Sequence, residues 1–207
     1  MEKLKNVLEI IKLGEKLKME LRHSWLSNGR RESVAEHTWL TTLMAMAIEP
    51  YLPRKLNSER LLKMLIIHDL VEAYATDIPA FETMNSPERK AIKRKNEILA
   101  IEKIRDTLDD ENGQQFYELW FEFEEKETYE AKVANALDKL EAQIQHNEAP
   151  IETWLSIEHK MTFMLGKHTD FDPVLSQLKE LIEAEGEKKL MAAGIDPNNL
   201  KDERDFL

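Results

Sequence analysis

The sequence predicts an all-α protein, and three observations carry that expectation. Helix-forming Leu, Glu, Lys, Ala and Met recur along all 207 residues. Apolar residues return at three- and four-residue spacing, and Ser-Pro and Asp-Pro pairs mark helix starts. With only 6 Gly and 7 Pro, the composition favours helix over sheet or disorder. A chain of this length can bury a core without splitting, so one domain is expected.

Taken in order, Leu4, Val7, Leu8, Ile11, Leu13 and Leu17 form the apolar face of a first amphipathic helix, expected to pack inward. Residues 22–32 break that period with Asn28-Gly29 and read as a loop. Ser33 and Glu36 make a capping box, so a helix should begin there and run to about Glu49, where Pro50 stops it. Residues 60–73, with Leu61, Leu62, Leu65, Ile66 and Ile67, predict a strongly apolar helix that ends near His68 and Asp69. Residues 77–86, with Pro79 and Asn85, read as a loop, and Ser86-Pro87 then supplies an N-cap with proline in the first turn. Helices are expected over 87–108, 114–125, 129–147 and 153–165, with Asp172-Pro173 opening a last one over 174–185. Residues 186–207 are polar with weak periodicity and are expected to be loosely ordered.

The formal net charge of −11 argues against a nucleic-acid polymer or an anionic membrane as partner, because surfaces that bind them are basic. An anionic small substrate would need a local positive site. With no cysteine, disulfides and thiolate ligands are excluded, so any metal must be held by nitrogen and oxygen. No stretch reaches the roughly 18 apolar residues of a membrane span and no secretion signal is evident, so a cytoplasmic protein is expected.

Of six histidines, two stand beside carboxylates, in Glu36-His37 and His68-Asp69. The second pair interrupts an apolar run, where an ionised carboxylate is costly to bury without a metal or a cationic partner. For either residue alone, a histidine satisfied at a helix end and an aspartate facing water is the simpler reading. Asp138 sits at the border of a stripe made by Val133, Leu137, Leu140 and Ile144, beside the small Ala134. Together His37, His68, Asp69 and Asp138 form a two-imidazole, two-carboxylate set suited to one divalent ion such as Mn, Co, Fe, Ni or Zn, with Mg less natural.

The order His, His-Asp, Asp resembles the HD superfamily of metal-dependent phosphohydrolases. The flanking text, ESVAEHTW and IIHDLVEAYATDIP, is similar to its 5′-deoxynucleotidases, over a motif-bearing core of about 17–145. The resemblance implies a single helical HD domain spanning 1–207, with C-terminal helices and a polar tail over 150–207. It also implies a nucleotide substrate, hydrolysis of deoxynucleoside 5′-monophosphates, and a homodimer. It places Glu72 to handle the proton of the attacking water, with Asp77 as its companion near the leaving group. Read without the family, Glu72 is a surface carboxylate near a helix end. The resemblance also points to Arg22 for the phosphate and Trp25 for the sugar; Arg30 and Arg31 are rival phosphate ligands, and Ser33 could offer helix N-terminal amides to an anion.

Two alternatives stand beside this reading. A triphosphohydrolase or phosphodiesterase of the same fold would want more basic residues or extra histidines, and no histidine stands at a compelling spacing from Asp138; His23, His146, His159 and His168 receive no role. A non-catalytic helical binding module would keep the metal as a closed structural site and would not need Glu72 and Asp77 beside it. Met44, Met46, Trp120, Met161 and Met164 read as core or dimer interface, and Trp120, Phe121 and Phe123 as exposed candidates for a symmetric contact.

Overall fold

The computed structural model of the chain describes residues 1–84 and 86–202, so Asn85 and the last five residues of the polar tail lie outside it. It is a helical assembly with one small hairpin, and no helix among the described residues is long and apolar enough to cross a membrane. Helix α1 (Glu2–Gly14) runs into a 3-10 turn (Glu15–Lys18). Its inward edge is Val7, Ile10, Leu13 and Leu17, whereas Leu4, Leu8 and Ile11 face out, contrary to the expected face. The helix carries two apolar edges, and its neighbours cover only one.

Residues 22–32 are not a loop. Strands β1 (Leu21–Trp25) and β2 (Arg31–Ser33) pair antiparallel, Leu21 against Ser33 and Trp25 against Arg31. The Asn28-Gly29 step is the hairpin's turn, with Gly29 at φ 81, a value that side-chain-bearing residues rarely adopt. The capping box forms as expected: Ser33 accepts the Glu36 amide while Glu36 accepts the Ser33 amide, and α2 (Val34–Ile48) follows.

Helix α3 (Ser58–Ile67) stops six residues before the expected end. His68 Nδ1 donates to the Leu65 carbonyl at 2.6 Å, the acceptor that the Asp69 amide would use in an α-helical ladder. The chain therefore tightens, with Leu70 and Glu72 amides bonding three residues back, before the short α4 (Glu72–Ala75). Thr76, at φ 63, ends it. The expected loop over 77–86 contains α5 (Ala80–Thr83), because the Pro79 carbonyl accepts the Glu82 amide and starts a turn.

Helices α6 (Pro87–Leu108), α7 (Glu111–Glu125) and α8 (Tyr129–Glu148) follow as expected, with α7 starting earlier because Asp110 caps the Asn112 and Gly113 amides. The expected helix over 153–165 is instead α9 (Ser156–Met161) and α10 (Gly166–Thr169), separated by a turn that buries Phe163. The last long helix, α11 (Pro173–Ala192), runs through Gly186, and α12 (Pro197–Asp202) follows it. Most of the tail expected to be loose is thus helical, and Leu190 is fully buried against Trp154 and Phe163.

Helix α8 lies at the centre, packed by α2, α3, α7, α10 and α11. Leu137 and Leu140 share one apolar cluster with Leu61, Leu65, Leu175 and Ile182. Trp120 and Phe123 belong to the core, not to an exposed face, and Phe121 is half-buried beside Trp120. Each lies on the side of α7 that faces a neighbouring helix, so none supports a symmetric contact.

Candidate metal centre and its cavity

His37 sits one turn into α2 on its buried face, His68 caps α3, Asp69 follows it, and α8 contributes Asp138. Four side chains scattered over about 100 residues therefore meet at one place. His37 Nε2 lies 3.3 Å from Asp138 Oδ1 and 3.7 Å from Asp69 Oδ2; His68 Nε2 lies 3.2 Å from the same Asp69 oxygen.

The other face of each ring is committed. His68 Nδ1 donates to the Leu65 carbonyl, and His37 Nδ1 is paired with the buried Glu141 carboxylate, one turn beyond Asp138 on α8. With Nδ1 held by its acceptor, each ring turns Nε2 toward the two aspartates, where an ion would take the lone pair in place of a proton. Both Nε2 atoms are buried and lack a hydrogen-bond partner. His37, His68 and Asp69 bring a ligand atom each close enough to share one ion, and Asp138 adjoins His37 Nε2, so the residues fit a divalent cation with nitrogen and oxygen ligands.

The local field is that of a cation site. Burial opposes charge on Asp69, but His68 and His37 outweigh it and hold the carboxyl below its ordinary value. Asp138 is likewise depressed against its burial, chiefly by Lys139 and His37. Burial and Arg22 oppose protonation of His37, yet Glu141 and Asp138 outweigh them and push it up to about 10. Behind the ring, burial and the Glu141 charge push the Glu32 carboxyl up to about 7.

Asp69 and Asp138 open onto a cavity of about 610 Å³ that Arg22, Glu72 and Asp77 also line. Glu72 Oε2 is buried without a partner, and burial, then Asp69 and Asp77, raise its carboxyl well above the ordinary value. Burial, with Asp69 adding to it against Arg22, raises Asp77 too. A protonatable carboxyl beside a cation site is equipped for proton transfer. Arg22 reaches from β1, with Nη1 3.6 Å from Asp69 and Nε 3.4 Å from Glu32.

Four of the expected substrate contacts do not line this cavity. Trp25 packs under the guanidinium of Arg31, which itself bonds the Leu21 and Arg22 carbonyls. Arg30 forms a two-point ion pair with Glu36, and Ser33 is consumed by its cap. The strand pleat and the capping geometry decide this, and neither follows from proximity in sequence.

Sequence reasoning missed Glu141, three residues past Asp138 on the same helix face, where the i, i+3 spacing was a usable signal. His146, to which sequence reasoning assigned no role, lines the same cavity with His23 and His168. His23 Nδ1 pairs with the buried Glu158 at 2.9 Å. Basic residues are also more numerous than expected, since Lys90, Lys93, Lys139 and Lys167 join Arg22 along the walls. The His23–Glu158 contact crosses from the hairpin to α9, and the lysines come from α6, α8 and α10, so no local pattern announces them.

Against known proteins, a family model described as HD domain matches residues 14–179. The chain is 29% identical to the 5′-deoxynucleotidase HDDC2 of Homo sapiens over 94% of this chain and 93% of that protein. It is 34% identical to the corresponding protein of Danio rerio over 69% of each. Among solved structures, a predicted metal-dependent phosphohydrolase from Magnetospirillum magnetotacticum superposes with a TM-score of 0.77 at 25% identity, covering 95% of this chain and all of that one (100%).

Proposed function

The chain belongs to the HD domain family, and from that premise we propose that it is a metal-dependent 5′-nucleotidase releasing phosphate from deoxynucleoside 5′-monophosphates. The observation that carries this reading is the convergence of two unpartnered, buried imidazole nitrogens with Asp69 and Asp138, which line a nucleotide-sized cavity.

In this reading His37, His68, Asp69 and Asp138 hold one divalent ion, of the Mn, Co, Fe, Ni or Zn type because two ligands are imidazoles. The ion polarises the phosphate and acidifies water when bound. Arg22, beside Asp69 on the cavity wall, offers its guanidinium to the phosphate. Glu72, its carboxyl raised and one oxygen unpartnered, takes the proton from the attacking water, and Asp77 serves the leaving oxygen. The cavity's remaining wall, with Phe81, Met161 and Met164, supplies an apolar surface for the nucleoside.

Stripping the protein of metal and re-adding each divalent ion against a panel of deoxy- and ribonucleotides tests the reading. Phosphate release from monophosphates with one ion per chain is expected. Release of tripolyphosphate, or cleavage of cyclic nucleotides alone, would move the enzyme to the triphosphohydrolase or phosphodiesterase class. Bound ion with no turnover of any substrate would leave a binding module.

We further propose a cytoplasmic homodimer folded as one domain over 1–207. Supporting the dimer, Trp39, Leu43 and Met46 lie exposed on one face of α2 at 66%, 45% and 61%. Supporting the single domain, Leu175 and Ile182 of α11 share a cluster with Leu61 and Leu137 of the motif-bearing part. The cysteine-free chain needs no oxidising compartment. A monomeric mass in light scattering at micromolar concentration would reject the dimer.

A further inference from the structure

We infer that Lys139 is a phosphate-binding residue of this site and selects dianionic phosphomonoesters over monoanionic diesters. The inference rests on the reading that the cavity takes a phosphate ester. Lys139 follows Asp138 on α8, and its Nζ lies 2.8 Å from Asp138 Oδ2. The other oxygen, Oδ1, is the one that faces His37 Nε2. The aspartate is thus divided between its two neighbours, one oxygen toward the imidazoles and one toward the ammonium.

Five carboxylates line this cavity, those of Asp69, Glu72, Asp77, Asp138 and Glu158, in a chain already carrying −11. A dianion entering such a space needs fixed positive charge beyond what holds the acids together. Of the cations that act on Glu72 and Asp77, Arg22 is shared with Glu32 and Asp69 before any phosphate arrives, and Lys93 donates to the Ile78 carbonyl at 3.1 Å while facing Glu97 at 3.7 Å. Lys139 differs, because among the described residues it pairs with one carboxylate only, and its side chain remains 40% exposed on the cavity wall. An ammonium carries three N–H donors, so it can keep Asp138 and still present two to phosphate oxygens. A charge fixed beside the ligand set favours a dianion over a monoanion, which is the basis of the selectivity.

The test uses Lys139→Gln and Lys139→Met, which remove the charge, and Lys139→Arg, which keeps it. Mn affinity is measured on metal-stripped protein, and inorganic phosphate is then titrated into the Mn-loaded protein by calorimetry. We expect both neutral variants to bind phosphate about tenfold or more weakly with Mn affinity changed by less than about threefold, and the arginine variant to stay near wild type. The ratio of kcat/KM for a deoxynucleoside monophosphate to that for bis(4-nitrophenyl) phosphate should fall by a similar factor. Unchanged phosphate affinity overturns the inference. So does Mn affinity falling in step with phosphate affinity, since Lys139 would then only prop Asp138. If the wild type hydrolyses no nucleotide while phosphate binding still depends on Lys139, the nucleotidase reading falls and the inference stands.

Discussion

Two ring protons decide what His37 and His68 can bind. With Nδ1 of each ring tied to an acceptor, a backbone carbonyl for His68 and the Glu141 carboxylate for His37, both turn Nε2 toward Asp69 and Asp138, where an ion would take the lone pair in place of a proton. Glu141 therefore acts on the ion through His37. In Glu141→Gln the neutral amide no longer favours the Nδ1 proton, and Mn affinity should fall roughly 10- to 100-fold with unchanged circular dichroism. Wild-type affinity in that variant would show that the ring needs no such support. Glu72 is a different kind of residue, since it lies in the cavity with an unpartnered oxygen and pairs with no imidazole. Glu72→Ala should keep the bound ion and the phosphate affinity while turnover drops by about a hundredfold or more. Turnover at the wild-type rate would transfer the proton-handling role to Asp77.

Among the elements, α3 and α11 depart most from their periodicity, for opposite reasons. The apolar pattern of residues 60–73 asks for a continuous helix, but the His68 side chain takes the carbonyl on which the next turn depends, and the break carries Asp69 toward the cavity. In α11 a glycine suggests an end where the helix continues. A Cβ on Gly186 would stand 2.7 Å from Thr162 Cγ2 and 3.0 Å from Asn147 Oδ1, so the glycine exists for close approach of α11 to the end of α8 and the segment after α9. Gly186→Ala gains helix propensity and loses that fit, and Gly186→Val can only lose. The valine variant should be destabilised by about 1–3 kcal/mol in urea denaturation. Stability equal to wild type would mean the contact yields without cost.

At the scale of the whole molecule, the cavity depends on parts of the chain far from the ligands. Helices α9 and α10 bring Glu158, Met161 and Lys167 to its wall, and Trp154 and Phe163 in the same stretch pack on Leu190 near the end of α11. Leu190→Ala removes a fully buried side chain and should cost roughly 2–5 kcal/mol, with KM for nucleotide rising as the α9 wall loosens and the bound ion retained. Unaltered stability and KM would show that the tail is independent of the site.

What the sequence determined by itself is the helical class, the caps at Ser33, Ser86 and Asp172, and the candidate ligands His37, His68, Asp69 and Asp138. These follow from local chemistry: helix period, capping geometry, and polar side chains placed against apolar stripes where burial needs a partner. Tertiary structure alone decided the rest. It turned the Asn28-Gly29 stretch into a hairpin, put Arg22 on the cavity and Arg30 and Arg31 off it, set Glu141 behind His37, and brought Lys139 and His146 of α8 to the cavity wall. The physical reason is distance along the chain. Residues separated by tens of positions leave no periodic trace of their contact, and their roles become fixed only when the packed helices set which side chains face one another.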